Sequence, residues 1–219
     1  MSRPESPTRR GWFVTIEGPE GGGKTTQAER LCAHLEAAGR PTHLTREPGG
    51  TRLGERVREV LLARSPSDAV AHDPLTDALL FNAARRQLVR EVIRPALEAG
   101  TTVVCARFAD STLAYQGFGS GVPLDRLRAL AEMATDGLVP DLTLLLDLPV
   151  ADGIARKAPD DVTRFEADFD LAYHERVRAG FLALAAAEPG RITVIDATAS
   201  IERVALAIER AVDARLLAD

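Results

Sequence analysis

The stretch Gly18-Pro19-Glu20-Gly21-Gly22-Gly23-Lys24-Thr25 fits the pattern G-x-x-x-x-G-K-[ST]. An apolar run over residues 12–17 precedes it, and a helical pattern begins at Lys24. Glycines let successive backbone N–H groups face inward and bind phosphate oxygens at the positive end of the following helix. A strand before the motif and a helix after it form the context that such a loop requires. The stretch therefore predicts a P-loop, and a fold built around strand, loop and helix.

Two side chains of this loop have chemical roles of their own. Lys24 can reach the β- and γ-phosphates of a nucleoside triphosphate, and the Thr25 hydroxyl is a candidate Mg²⁺ ligand. A P-loop does not identify the reaction, because motors, GTPases and small-molecule kinases all carry one. The sequence lacks the N-K-x-D motif expected of a GTPase, and the absence of a repeat disfavours a motor. The predicted donor-nucleotide site is Gly18, Pro19, Glu20, Gly21, Gly22, Gly23, Lys24, Thr25 and Thr26.

Short aliphatic runs alternate with longer helical patterns along the chain. Strands are predicted over residues 12–17, 42–45, 101–106, 142–147 and 191–196. Helices are predicted over residues 24–38, 53–64, 75–99, 124–136, 165–187 and 201–217. At least three of the strands are apolar on both faces, as in a parallel sheet covered on both sides. We predict the α/β class, with a three-layer P-loop NTPase fold whose central, mainly parallel five-stranded sheet is flanked by helices.

Length and composition limit the possible partners and organisation. The chain has 219 residues, of which 45% are hydrophobic and 27% charged, and we expect a polar tail over residues 1–10 and one domain over residues 11–219. The 27 Lys and Arg against 32 Asp and Glu give a net charge of −5, which disfavours nucleic acid as a partner. Neither a secretory signal nor a membrane span is expected. Cys32 and Cys105 lie in apolar stretches, as buried thiols of a cytoplasmic protein would.

Two pairs of side chains, each separated by four positions, have chemistry that is compatible with binding a nucleobase. Phe81 and Arg85 share one face of a predicted helix, where the ring can stack on a pyrimidine and the guanidinium can donate to a base carbonyl. The hydroxyl of Thr112 and the amide of Gln116 can bond a base edge. The alternatives are a core Phe81 with a solvated Arg85, and capping of a helix N-terminus by Ser111 or Thr112.

Four further segments resemble thymidylate kinases (dTMP kinases) of the bacterial type, and the resemblance runs from about residue 12 to the end. The segments are Thr45-Arg46-Glu47-Pro48-Gly49-Gly50, Leu80-Phe81-Asn82-Ala83-Ala84-Arg85, Arg107-Phe108-Ala109-Asp110-Ser111-Thr112-Leu113-Ala114-Tyr115-Gln116-Gly117 and Thr163-Arg164-Phe165-Glu166. In this order and with a P-loop they are highly specific. The resemblance implies Mg²⁺-dependent transfer of the γ-phosphoryl group of ATP to dTMP, a step of dTTP biosynthesis, by a homodimer.

The resemblance also implies an acceptor site. Phe81 and Arg85 would hold the thymine, and Glu20 would face the 3′-hydroxyl of the sugar. Arg107 and Arg58 would grip the acceptor phosphate, because two guanidinium forks suit a dianion better than lysines do. The predicted dTMP-binding residues are Glu47, Pro48, Arg58, Phe81, Arg85, Arg107, Thr112, Tyr115 and Gln116.

Residues 153–165 lie where nucleoside monophosphate kinases have a mobile lid. The P-loop has no basic residue between Gly18 and Lys24, so the arginine that stabilises the transferred group is expected from this lid. Arg156 and Arg164 are the candidates, and the alternative is a charged loop in solvent. The predicted catalytic residues are Glu20, Lys24, Arg107, Arg156 and Arg164.

One departure from the family pattern affects the metal. Where the family has Asp-Arg-Tyr/Phe, this chain has Ala106-Arg107-Phe108. The missing aspartate helps to organise Mg²⁺ through its water shell, and Glu20 and Asp110 are candidates to compensate. A scan for four apolar residues followed by Asp would select Asp147 for this role, but it is expected to be a strand-end or helix-start residue. Two other functions stay open: a kinase for another monophosphate such as dUMP, and a nucleotide-binding protein that has lost turnover.

Overall fold

Five strands form the centre of the protein. A computed structural model describes residues 10–62, 73–156, 163, 165 and 169–216. The strands are β1 (Phe13–Glu17), β2 (Thr42–Arg46), β3 (Thr102–Ala106), β4 (Leu142–Asp147) and β5 (Ile192–Asp196). They lie in the order β2-β3-β1-β4-β5, and every neighbouring pair is parallel. The predicted five-stranded α/β fold is confirmed, and the predicted strands agree with the observed ones to within one residue at each end.

Helices cover both faces of the sheet and connect its strands. In chain order they are α1 (Lys24–Ala37), α2 (Arg52–Leu62), α3 (Pro74–Leu88), α4 (Arg94–Glu98), α5 (Ala109–Thr112), α6 (Leu124–Thr135), α7 (Val150–Ala155), α8 (Leu171–Ala187) and α9 (Ile201–Leu216). A π-helical turn over Val89–Ile93 joins α3 to α4, and a π-helix over Leu113–Gly119 continues α5. The single helix predicted over residues 75–99 is therefore three consecutive segments.

The long helix predicted over residues 165–187 begins later than expected. In the described part of the chain α8 starts at Leu171, because the Asp170 side chain accepts a hydrogen bond from the Tyr173 backbone N–H at 2.8 Å and caps the helix. Residues 166–168 lie outside the described residues, as does the predicted tail except Arg10. No helix in the described ranges is long and apolar enough to cross a membrane.

The core lies between the sheet and its two layers of helices. β1 and β3 are buried along their whole length, and β4 is buried up to Leu146, which agrees with their two-sided apolar sequences. On one face Ile16 and Leu144 pack with residues of α1 and α9, and on the other Leu145 packs with residues of α8. Because each fully buried Leu or Ile contributes about 1.5–3 kcal/mol, this core fixes the strand ends from which the functional loops extend.

Candidate active site

A cleft of about 520 Å³ opens beside the carboxyl end of β1 and contains most of the predicted site residues. Loops that follow parallel strands converge at this edge of a sheet, which is where doubly wound folds bind ligands. Among the residues predicted from sequence, the cleft is lined by Glu20, Gly21, Gly23, Lys24, Thr25, Thr26, Glu47, Pro48, Arg58, Phe81, Arg85, Arg107, Thr112, Tyr115, Gln116 and Arg156. Gly18, Pro19 and Gly22 do not line it, and Arg164 lies outside the described residues.

The loop between β1 and α1 has the backbone that a phosphate cradle needs. Gly21 and Gly23 have φ values of 68° and 78°, a left-handed conformation that only glycine adopts without strain. A Cβ atom at Gly21 would lie 1.8 Å from the Gly153 carbonyl oxygen, so a side chain does not fit there. The Lys24 Nζ donates to the carbonyl oxygens of Pro19 and Gly18 at 2.6 and 3.0 Å, which keeps this cation at the mouth of the loop.

A hydrogen-bonded triad of Glu20, Arg107 and Tyr115 connects the P-loop to the turn after β3. The Arg107 Nη2 donates to Glu20 Oε1 at 2.5 Å, and the Tyr115 hydroxyl donates to the same oxygen at 2.8 Å. Burial alone would lower the pKa of Arg107, but the adjacent Glu20 carboxylate outweighs it and raises that pKa above its ordinary value. Arg107 is therefore a permanent cation between the P-loop and the rest of the cleft.

Arg85 is the largest fully buried side chain, so the alternative of a solvated arginine is wrong. Its Nε donates to Glu47 Oε2 at 2.8 Å, and its Nη1 donates to Asn82 Oδ1 at 2.9 Å. Its Nη2 donates to the Phe108 carbonyl and to Thr112 Oγ1 at 3.0 and 3.1 Å. A guanidinium has five N–H groups, so these four bonds fix its plane and leave one N–H, on Nη1, for another acceptor.

The partner of this arginine carries an unsatisfied atom. Glu47 Oε1 is buried and has no hydrogen-bond partner among the described residues. Burial raises the pKa of Glu47, and the adjacent Arg85 opposes this shift. A buried acceptor without a partner is costly unless something donates to it. Arg85 and Glu47 both line the cleft, and each keeps one hydrogen-bonding position without a partner among the described residues.

Thr112 does not cap a helix, so that alternative for the second side-chain pair is also wrong. The residue before α5 is Phe108, which provides no side-chain cap, and the Thr112 hydroxyl accepts from Arg85 instead. Gln116 is buried in the π-helix and lines the same cleft. Phe81 is partly buried, with its ring centroid 6.1 Å from that of Phe165. The two predicted pairs are thus brought to one wall.

A second guanidinium lies on the acceptor side. The Arg58 Nη1 donates to the Pro48 carbonyl at 3.0 Å, which anchors α2 to the loop after β2. Burial, then the charge of Arg46 and to a smaller extent that of Arg107, lowers the pKa of Arg58. Because a nearby anion would offset this unfavourable interaction between like charges, the cations of the cleft favour a negatively charged ligand.

The remaining predicted residues have partners that restrict what they can do. Arg156 directly follows α7, and its guanidinium donates to the carbonyls of Ala197 and Thr198 at 2.9 and 3.3 Å. The expectation that Asp110 compensates for the missing aspartate is wrong, because its two oxygens accept from Arg191 at 2.7 and 2.9 Å. Asp147 ends β4 and accepts two hydrogen bonds from Arg178 at 2.8 and 2.9 Å.

Several lining residues were not singled out from the sequence. They are Leu62, Phe108, Ser111, Thr163 and Phe165, and four of them fall inside the segments quoted for the family resemblance. A further residue, Glu17, does not line the cleft but bonds the turn that carries Arg107. Its position directly before the P-loop was the available sequence signal.

Together, the glycine loop at the start of α1 and the polar pocket opposite it define a P-loop nucleotide-binding enzyme of the α/β class. A family model for thymidylate kinase matches residues 16–208. The chain therefore belongs to the thymidylate kinase family, as the resemblance predicted.

Individual relatives agree with this assignment. The chain is 53% identical over 210 residues to thymidylate kinase of Deinococcus radiodurans, an alignment that covers 94% of this chain and 98% of that one. It is 53% identical over 199 residues to thymidylate kinase of Thermomicrobium roseum, with 90% and 92% covered. The crystal structure of thymidylate kinase from Ehrlichia chaffeensis matches with a TM-score of 0.73 at 33% identity, covering 93% of this chain and 99% of that one.

Proposed function

We propose that this enzyme transfers the γ-phosphoryl group of ATP to dTMP with Mg²⁺, giving dTDP and ADP in dTTP biosynthesis. The observation that carries the proposal is the buried Arg85, held by Glu47 and Asn82 in the same cleft as the P-loop. The P-loop binds ATP, the phosphoryl donor. The hydrogen-bonding groups of Arg85 and Glu47 suit the base of a nucleotide that accepts the phosphoryl group. The thymidylate kinases among its relatives agree with this acceptor.

On the donor side, residues 18–26 bind the phosphates of ATP through backbone N–H groups. Lys24 leaves its contacts with the Pro19 and Gly18 carbonyls and neutralises the β- and γ-phosphates. The acceptor phosphate already carries the attacking oxygen, so positioning and charge neutralisation supply most of the catalysis and no strong general base is needed.

On the acceptor side, Arg107 and Arg58 hold the dianionic phosphate, because both guanidinium groups line the cleft. The thymine lies against Phe81, with Arg85, Thr112 and Gln116 at its polar edge. Glu20 accepts from the 3′-hydroxyl and Tyr115 packs beside the sugar, while Glu47 and Pro48 complete the pocket.

The residues present fit a Mg²⁺ ion bound mainly by phosphates. Thr25 is exposed in the cleft next to Lys24, and a hydroxyl oxygen is a ligand of the kind that Mg²⁺ prefers. Within the described ranges no group of three or more His, Cys, Asp or Glu residues could form a protein cage for a metal. When bound, Mg²⁺ would neutralise charge on the donor phosphates. Thr25 is the residue that we propose holds it.

The arginine that assists transfer comes from the lid, residues 153–165, as part of the same proposal. The guanidinium of Arg156 is engaged by the carbonyls of Ala197 and Thr198, which favours Arg164 for this role. Substituting each by alanine distinguishes them. Alanine at the position that acts in transfer is expected to lower kcat by about 10³-fold. Alanine at the other position is expected to change mainly the KM for ATP.

A homodimer is supported by exposed apolar side chains on three adjoining helices. α2 packs on α3, and α3 packs on α6. These helices expose Leu53, Val60, Leu79 and Met133, the last to 74%. Burial of these side chains against a second copy of the chain would remove their apolar surface from water. Sedimentation equilibrium is expected to give twice the chain mass, and a monomer would contradict the dimer.

Two further expectations remain part of the proposal. Residues 11–219 form one kinase domain, and the enzyme works in the cytoplasm, in agreement with the free and buried Cys32 and Cys105. Limited proteolysis that leaves one resistant fragment would support the single domain. Several fragments of independent stability would contradict it.

The test of the function is a steady-state assay with ATP, dTMP and Mg²⁺ that measures ADP and dTDP. Equal amounts of the two products are expected, with loss of turnover on chelation of Mg²⁺ and recovery on its return. A second candidate, a nucleotide-binding protein without turnover, is favoured by Ala106 and by the engagement of Asp110 with Arg191. Tight binding of ATP and dTMP without product would establish it instead.

A further inference from the structure

Glu17 is a fully buried carboxyl group at the point where β1 ends and the P-loop begins. Its Oε1 accepts from the backbone N–H groups of Phe108 and Ser111 at 2.7 and 3.2 Å. Its Oε2 accepts from the Ser111 hydroxyl at 2.6 Å. One side chain of β1 therefore binds the turn between β3 and α5 through three hydrogen bonds.

That turn has a backbone conformation that needs support. Arg107, which lies immediately before Phe108, has a φ of 69°, a left-handed value unfavourable for a residue with a Cβ atom. Such residues persist where the surrounding structure holds them. The Arg107 backbone N–H donates to the Ile16 carbonyl at 2.9 Å, and the next backbone N–H donates to Glu17. The end of β1 thus holds the strained residue from both sides.

The same turn determines where the Arg107 guanidinium lies. Its Nη1 is 3.4 Å from the Gly18 carbonyl, and its Nη2 bonds Glu20, so it faces the P-loop. If the turn lost its bonds to Glu17, the Arg107 backbone would no longer be held in one position, and the guanidinium would move with it. Displacement of a positioning group by about 1 Å can cost 10²-fold in rate.

We infer that Glu17 is a positioning residue, which holds the β3–α5 turn so that Arg107 aligns the acceptor phosphate with the P-loop. This inference rests on the proposed function, since it concerns the acceptor of that reaction. Glu17 does not line the cleft, so it acts through Arg107 and does not touch the substrate.

The hydrogen-bond pattern separates a positioning role from a role for charge. A glutamine at position 17 keeps an oxygen for the two backbone N–H groups, and its amide can donate to the Ser111 hydroxyl, which can rotate to accept. Burial, with the charge of Asp110, raises the pKa of Glu17 to about 7, so a neutral side chain is already accessible to the native protein near neutrality. An alanine at this position removes all three bonds.

The experiment compares E17A and E17Q with a control on the same strand. Thr15 is fully buried, and its hydroxyl is 2.7 Å from that of Thr143, so T15V removes a buried hydrogen bond of β1 and leaves all three bonds of Glu17 in place. For each variant kcat and the KM values for dTMP and ATP are measured with the thermal midpoint. The kcat/KM for dTMP is expected to fall about 10²-fold in E17A and to stay within about threefold of wild type in E17Q and T15V.

Two results would overturn the inference: constants for E17A equal to those of T15V, or an E17Q as impaired as E17A, which would assign the effect to charge. If E17A does not fold, E17L replaces it, because leucine keeps the side-chain volume and removes the same three bonds, with the same expected fall of about 10²-fold in kcat/KM for dTMP. Unchanged constants for E17L would then also overturn the inference. A wild-type enzyme that does not phosphorylate dTMP would refute the proposed function itself, which is a different outcome.

Discussion

Ala106 is the residue at which this chain departs most clearly from the family pattern. It ends β3, is almost fully buried, and its carbonyl accepts from the Glu47 backbone N–H at 3.0 Å. Asp110 does not replace the aspartate of the family pattern, because Arg191 occupies both of its oxygens.

Restoring the aspartate is predicted to strengthen the metal dependence of the enzyme. In A106D the Mg²⁺ concentration that gives half-maximal turnover should fall about tenfold, because a carboxylate orders the water shell of the ion. A106N is the control, since it has a similar size without the charge. A magnesium titration in which A106D, A106N and wild type coincide would show that position 106 does not act on the metal.

Arg85 is predicted to be irreplaceable by lysine. Lysine has three N–H donors on a point charge and cannot bond Glu47, Asn82 and Thr112 in one plane. R85K should raise the KM for dTMP about 10²-fold, equivalent to about 3 kcal/mol, with little change in the KM for ATP. R86K is the control, because Arg86 lies on the same helix and pairs with Asp136 at the surface. Equal constants for R85K and R86K would contradict this role.

Glu17 is predicted to make stability depend on pH. Burial and the charge of Asp110 raise its folded pKa from about 4.5 to about 7, so its contribution to stability is fully present below pH 4.5 and is lost as pH rises toward 7. The loss is on the order of 1–3 kcal/mol. E17Q, which does not titrate, should gain stability relative to wild type between pH 5 and pH 8. Urea unfolding at both values measures this, and a difference independent of pH would contradict the raised pKa.

Among the contacts between elements around the site, α8 packs closely against the π-helix. Gly180 of α8 lies against Phe118, and a Cβ atom there would be 2.6 Å from the Cβ and Cγ atoms of that residue. The Tyr173 hydroxyl of α8 also donates to the Tyr115 carbonyl at 3.2 Å. The helix that carries Tyr115 and Gln116 therefore depends on α8 for its place.

Gly180→Ala is predicted to destabilise the protein, although this change usually favours a helix. The usual gain of about 0.5–1 kcal/mol should be exceeded by an overpacking cost of about 1–3 kcal/mol. Thermal unfolding is the measurement. Ala183→Gly, at an exposed position of α8, reports the intrinsic helix preference. If G180A gains as much stability as A183G loses, the contact with Phe118 does not limit packing.

The elements also show how far sequence reasoning reaches. The strands and the P-loop were predictable because their signals are local: apolar runs, glycines, and a helix start at Lys24. The π-helix at Leu113–Gly119 was not, since its geometry depends on packing against α8. The bonds of Arg85 to Glu47 and of Glu17 to Ser111 join residues 38 and 94 positions apart, and no local pattern specifies them. The acceptor residues were predicted from the family resemblance. Periodicity alone did not distinguish a buried Arg85 from a solvated one.

At the scale of the whole molecule, the charge of the cleft is opposite in sign to the net charge of the chain. The chain carries a net charge of −5, yet Lys24, Arg58, Arg107 and Arg156 line one cleft together with the buried Arg85. A concave site with clustered cations attracts a small anion whatever the sign of the net charge. The net charge therefore disfavours a polynucleotide partner, while the positive charge of the cleft is compatible with binding a nucleotide.

The acceptor preference of the enzyme is measured by a competition among nucleoside monophosphates. Equimolar dTMP, dUMP, UMP, CMP and AMP are incubated with ATP, Mg²⁺ and the full chain, and each diphosphate is separated and quantified. K24M, which removes the P-loop cation, is the blank for contaminating kinases. We predict that dTDP forms about tenfold faster than any other diphosphate, because the pocket formed by Arg85 and the residues around it discriminates among bases. Faster formation of another diphosphate, or no product above the K24M blank, would contradict the assignment.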